Sequence, residues 1–320
     1  MIRVKVTTEH PHWPFLQQTP EFSGIWGDCQ FYVDEPITDC DYWMVIDGLR
    51  APETVQCPPA NVILFTGEPP SVRRYVQGFL NQFATVVSCQ REIRHHHLIY
   101  SPPPLPWHTG VSYDDMASLS IHKDRTLSLI TSNKRLTTGH RRRYDAALKL
   151  KSHFGSLLDI YGRGIREFER KWDVQAPYRY SIVMENTVYA DYFTEKLADC
   201  LLTETFPFYY GCPNIDDYFP PGCLLKIDVE DIDQTIAQVA EITSNPDHYE
   251  QHLQQLRAAR QHYLDNFSFF AIMDRFAAQP GGARASVTLL PEKRNQWKRR
   301  LKAPLVRMAR QFSIHRTSRG

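Results

Sequence analysis

At 320 residues, 42% hydrophobic and 23% charged, the chain is long enough for two domains and too polar for a bundle of membrane helices. No apolar run approaches the roughly 18–20 residues that cross a bilayer, and MIRVKVTT at the start alternates at strand period where a secretory signal would be continuously apolar. The net charge of +1 hides an asymmetry: residues 281–320 hold 11 Lys/Arg and one Glu, which leaves −9 on residues 1–280 against +10 on the tail. Seven cysteines, an odd number without a CxxC pair, argue against a disulfide framework or a zinc ribbon and suit a reducing cytoplasm.

In chain order, apolar and β-branched runs predict strands over residues 2–8, 42–49, 61–68 and 84–89, with a helix over 71–83 between the last two. The proline-rich YSPPPLPWHTG (100–110) then interrupts the pattern. A second series follows, with strands at 127–133, 157–162, 180–186 and 206–212 and helices at 141–154, 194–204, 231–243 and 246–278. Alternating strands and helices predict parallel sheets, hence an α/β protein of two Rossmann-like domains facing across a cleft, with ligands at the carboxyl ends of the strands. The expected division is 1–125, 126–280 and a basic tail, 281–320.

The junction ENTVYADYFTEK (185–196) lies between an apolar strand and an amphipathic helix. A strand, polar loop and helix start in that order expose free backbone N–H groups that favour phosphate. Lys196 would add a full positive charge, while Glu185, Asn186 and Glu195 could hold sugar hydroxyls. The competing reading is an ordinary capped helix start, with Asp191 or Thr194 as the N-cap.

The longer stretch ENTVYADYFTEKLADCLLTETFPFYYGCPNIDDYFPPGCLL closely resembles the donor-binding segment of the α1,3/4-fucosyltransferases, glycosyltransferase family 10. The resemblance implies a GT-B fold, GDP-fucose as donor and an inverting, metal-independent reaction without a cofactor. It places Asn186, Tyr192, Glu195 and Lys196 around GDP-fucose, with Glu195 on donor hydroxyls and Lys196 on phosphate. SLITSNKRLTTGHRRRYDAALKLKSHFGSLLDIYGRG (128–164) is similar to the family block whose arginine binds the pyrophosphate. Arg141 aligns best there, with Arg142 and Arg143 as alternatives; a planar fork of donors suits a diphosphate at any of the three. NVILFTGEPP (61–70) resembles the family strand ending in the proposed general base, here Glu68, although the same residues read alone are a plain strand exit.

Three further motifs invite chemistry. Asp39-Cys40-Asp41 has the DxD form that holds divalent cations, but it is a common tripeptide; His95, His96 and His97 are read as solvated or acceptor-facing rather than as metal ligands. Trp13 and Trp107 are candidate sugar platforms, with burial the preferred reading of each. The tail, residues 292–320, places Trp297, Leu301, Leu305, Met308 and Phe312 among Lys and Arg, a pattern suited to an anionic membrane surface and less to nucleic acid. Together these readings predict a bacterial-type enzyme, cytoplasmic and peripheral at the inner membrane face, that fucosylates a saccharide acceptor in α1,3 or α1,4 linkage on an N-acetylglucosamine-containing surface glycan. A transferase using another nucleotide sugar, or a non-catalytic carbohydrate- or nucleotide-binding protein on the same scaffold, is the alternative.

Overall fold

The computed structural model describes residues 1–135, 138–277 and 282–292. Strands of the first half are β1 (Ile2–Thr8), β2 (Ile25–Trp26), β3 (Cys29–Val33), β4 (Tyr42–Ile46), β5 (Glu53–Cys57), β6 (Val62–Phe65), β7 (Thr85–Ser88) and β8 (Leu98–Tyr100). Those of the second are β9 (Arg125–Ile130), β10 (Leu158–Tyr161), β11 (Tyr178–Met184), β12 (Phe206–Tyr210) and β13 (Leu225–Lys226), and β14 (Ala285–Leu289) follows. The helices are α1 (Gln77–Leu80), α2 (Tyr113–Ser118), α3 (Thr138–Phe154), α4 (Glu195–Leu202), α5 (Ile232–Ser244), α6 (His248–Asn266) and α7 (Phe269–Asp274).

Two sheets result. The first has the order β2-β3-β1-β4-β6-β7-β8 and is parallel except for the β2–β3 pair. All five residues of β4, YWMVI, are buried, as expected of a central parallel strand covered on both faces. Val4, Val6, Met44 and Phe65 line one face; Trp43, Val45, Leu64 and Val86 line the other. The second sheet, β10-β9-β11-β12-β13, is wholly parallel. Leu127, Leu129, Ile182 and Phe208 from its strands pack with Leu197 and Leu201 of α4 and Leu256 and Tyr263 of α6.

Three expectations change. Residues 71–83 form one helical turn instead of three, because tertiary partners take the groups a helix would use: the Val76 N–H donates to the Glu292 carboxylate, and Arg73 and Tyr75 reach Asp47. The helix expected over 246–278 breaks at Phe267. There Ser268 caps α7, its Oγ accepting from the Ala271 N–H, and the chain crosses back so that Phe269, Phe270, Ile272 and Met273 cover one face of the first sheet. Within the expected tail, Ala285–Leu289 is a strand, paired antiparallel with β5 and closing the other face through Leu289 and Val287. The remaining tail positions, 293–320, lie outside the described residues.

Candidate functional site

Both sheets point their carboxyl ends into one cleft. On the second sheet, β11 delivers Glu185 and Asn186, and the loop after them leads into α4. Thr194 is the α4 cap: its backbone is extended and its Oγ1 accepts from the Lys196 N–H at 3.3 Å. Asp191, the other cap candidate, is left-handed (φ 60°) and bonds Asn214 and Tyr218.

Glu185 differs from its expected role. The residue is buried and its carboxylate accepts from the Thr194 N–H (2.9 Å), the Thr194 hydroxyl (2.8 Å) and Lys196 Nζ (3.1 Å). The structure therefore gives Glu185 the work of holding the helix start and aiming Lys196, not of presenting oxygens to a ligand. Lys196 also reaches Thr194 Oγ1 (2.9 Å) and Glu195 (3.3 Å). Burial opposes its charge, but Glu185 and Glu195 outweigh that and raise its pKa, so the ammonium persists. Burial likewise opposes ionisation of Glu195, yet Lys196, Lys171 and His108 hold it down to about 2. Tyr192 is 2% exposed, and burial raises its hydroxyl well above the usual range.

The arginine triplet, at the start of α3, separates by environment. Arg143 is buried and donates to Asn186 Oδ1 at 2.6 Å, with its Nε unsatisfied. Burial lowers its pKa against the pull of Glu185 and Glu195, which leaves a desolvated cation beside β11. Arg142 pairs with Glu230 at 2.7 Å. Arg141 is exposed, with weak bonds to Arg135 O and Thr138 Oγ1 (each 3.4 Å). Arg141, Arg142, Asn186, Thr187 and Gly139 line a cavity of about 450 Å³ closed from the first half by Ser71 and Val72. A neighbouring cavity of about 410 Å³ runs from Arg142 past Tyr210 and Gly211 to Lys226 and Asp228. These volumes lie in the range of small-ligand sites.

Gly139 explains how α3 comes so close to Asn186. A Cβ at 139 would stand 1.9 Å from the Asn186 carbonyl oxygen. Gly139→Ala is thus expected to push the helix start away, cost about 1–3 kcal/mol of stability and widen the cavity mouth. Calorimetry and nucleotide titration together read this; unchanged melting and affinity would show that the helix start yields freely.

On the first sheet, Glu68 follows β6. Its environment is apolar and anionic: burial, then Asp47, push its carboxyl up to about 7, with Lys196 and His10 opposing and Glu195 adding to the rise. That Lys196 and Glu195 act on Glu68 shows that groups from the two sheets meet here. The junction is also bonded across the cleft, by Arg91 to Asp191 and by Tyr189 to Glu92 (2.7 Å) and to the Arg91 N–H (2.8 Å).

Sequence reasoning missed Asp47, His10, Arg73 and Tyr75, which surround Glu68's turn. An Asp-Gly pair directly after a strand, and EHPHWP after another, were the available signals. Trp107 is fully buried, its Nε1 donating to Val111 O at 3.1 Å. Trp13 is partly exposed and stacks on His10 (3.9 Å, 5°). Asp39 and Asp41 lie at the amino end of β4, away from the cleft, and are tied to Arg3 and Arg284. The histidine run precedes β8 in a turn, with His97 Nδ1 bonded to Thr85 (2.9 Å). Among the described residues no helix is long and apolar enough to cross a membrane.

Residues 121–271 match the family model described as "Glycosyltransferase family 10 (fucosyltransferase) C-term". An alpha-(1,3)-fucosyltransferase of Helicobacter pylori is 25% identical over 96 residues, covering 30% of this chain and 20% of its own. The chain spans only 19–30% of the length of the curated relatives it matches. The fold is shared with a solved alpha1,3-fucosyltransferase (TM-score 0.52, 13% identity, 88% of this chain and 91% of that one). It is shared equally with an alpha-glucosyltransferase solved with UDP and DNA (TM-score 0.54, 10% identity, 86% and 99%). At these identities the likeness concerns architecture alone, the GT-B arrangement of two facing α/β halves.

Proposed function

Starting from the match of residues 121–271 to the glycosyltransferase family 10 model, we propose that this protein transfers L-fucose from GDP-fucose to a hydroxyl of a saccharide acceptor with inversion. One observation carries the reading: a carboxyl of raised proton affinity, Glu68, faces Lys196 from the opposite sheet, and Arg143 lies beside that lysine. Glu68 takes the acceptor hydroxyl proton as the acceptor oxygen bonds the sugar's anomeric carbon. On the far side the bond from that carbon to the diphosphate breaks, and GDP leaves with the electron pair. Developing negative charge on the diphosphate is stabilised by Lys196, Arg143 and Arg141. Asn186 is fixed by Arg143 at the cavity wall, and Glu195, ionised, is available to donor hydroxyls. Tyr192 packs beneath them as an apolar support.

The donor is tested by GDP release from the purified full chain, offered GDP-fucose, GDP-mannose or UDP-galactose in turn with N-acetyllactosamine-type acceptors and EDTA present. Release from GDP-fucose alone, unaffected by EDTA, is the expected result. Release from another donor would reassign the sugar, and EDTA sensitivity would remove the metal-independent mechanism.

A further inference from the structure

The groups behind Glu68 form a network that the proposed reaction does not itself use. Asp47 follows β4 in the left-handed region (φ 64°), a conformation uncommon for a non-glycine residue. Its side chain is buried. Oδ1 accepts from the Gly67 N–H at 2.7 Å, one residue before Glu68, and from the Tyr75 hydroxyl; Oδ2 lies 3.5 Å from His10 Nε2. A Cβ on Gly67 would stand 2.8 Å from Asp47 Oδ2, so the two turns fit only with glycine at 67.

Arg73 lies beside this carboxylate at the edge of ion-pair distance. Its guanidinium binds Glu9 at 2.9 Å and Glu292 at 3.1 Å, whereas Asp47 is 3.9 Å away. The guanidinium thus lies among three carboxylates, of which Asp47 is the farthest. We propose that Asp47 is the positioning residue of Glu68: it locks the Gly67–Glu68 turn in place and sets a fixed negative charge behind the Glu68 carboxyl. Calling Glu68 a base rests on the function proposed above; the electrostatic link between the two carboxyls does not.

The groups that face Glu68 are Asp47 after β4, His10 after β1, Tyr75 on its own loop, Tyr192 on the loop before α4, and Glu195 and Lys196 at the α4 start. Asp47 stays ionised: burial opposes its charge, but His10, Arg73, Tyr75 and the Gly67 N–H outweigh that. A like charge held this way disfavours a second one nearby and makes Glu68 the stronger proton acceptor.

The test is a carboxyl titration of the full chain labelled with ¹³C-glutamate, the Glu68 signal being the one lost in Glu68→Gln. Asp47→Asn retains an acceptor for the Gly67 N–H and removes the charge. It should lower the Glu68 midpoint by roughly half to one pH unit, and shift the acid limb of turnover by the same amount. Tyr75→Phe removes a donor from Asp47 but not its charge, and should raise the midpoint. An unmoved Glu68 signal in a folded Asp47→Asn, or a fall in Tyr75→Phe, overturns the assignment. If no donor supports turnover while the midpoint moves as expected, the proposed function fails and the pairing of Asp47 with Glu68 stands.

Discussion

Glu68→Gln is expected to lower kcat by about 10²- to 10⁴-fold, the usual worth of a positioned general base, while leaving GDP affinity nearly unchanged. The side chain stands after β6, whereas the cavities suited to a nucleotide are bounded mainly by the second sheet and α3. The pH dependence follows from the same surroundings. Burial and Asp47 push the carboxyl up to about 7, so below that pH it holds a proton and cannot take another. Turnover should therefore climb as pH rises through about 7 and level off above it, and this limb should vanish in Glu68→Gln. GDP release followed from pH 5.5 to 9, with calorimetric GDP binding alongside, checks both parts. Wild-type turnover in the variant, or equal loss of GDP binding and turnover, would remove Glu68 from the chemistry.

The second half was the more legible. Its strands are apolar enough to mark themselves, and YSIVM, TEKLADCLLTE and FPFYYGC fall on β11, α4 and β12 within two residues. What escaped was set by contacts between distant positions. Nothing local in SVRRYVQGFLNQF opposes a helix; Glu292, more than 200 residues away, takes the Val76 N–H. The crossing at Phe267 was hidden because FSFFAIM is apolar whether it continues α6 or turns to cover the other sheet. Three consecutive arginines are equivalent in sequence, and only the rotation of α3 decides that Arg143 is buried on Asn186 while Arg141 opens to the cavity. Glu185 shows the converse limit. Its place directly after the strand was legible, but a carboxylate's direction depends on what it can bond, and Thr194 and Lys196 lie on its inner side.

That inward carboxylate leads to the prediction with the second largest effect, Lys196→Met. Glu185 has 0% side-chain exposure and Lys196 20%, so removing the ammonium leaves a buried carboxylate whose remaining hydrogen-bond donor among the described residues is Thr194. Breaking such a buried pair from one side costs about 3–5 kcal/mol, and losing one stabilising cation at a leaving group costs about 10²- to 10³-fold in turnover. Both losses are expected in the single variant, which alone cannot separate them. Glu185→Gln added to Lys196→Met separates them, because a neutral amide can still accept from the Thr194 N–H and no longer needs a counter-charge. Thermal unfolding of the double variant should recover most of the lost stability, while GDP release stays as low as in Lys196→Met. If turnover returned together with the melting temperature, Lys196 would be a structural partner of Glu185 and the leaving diphosphate would depend on the arginines of α3 alone.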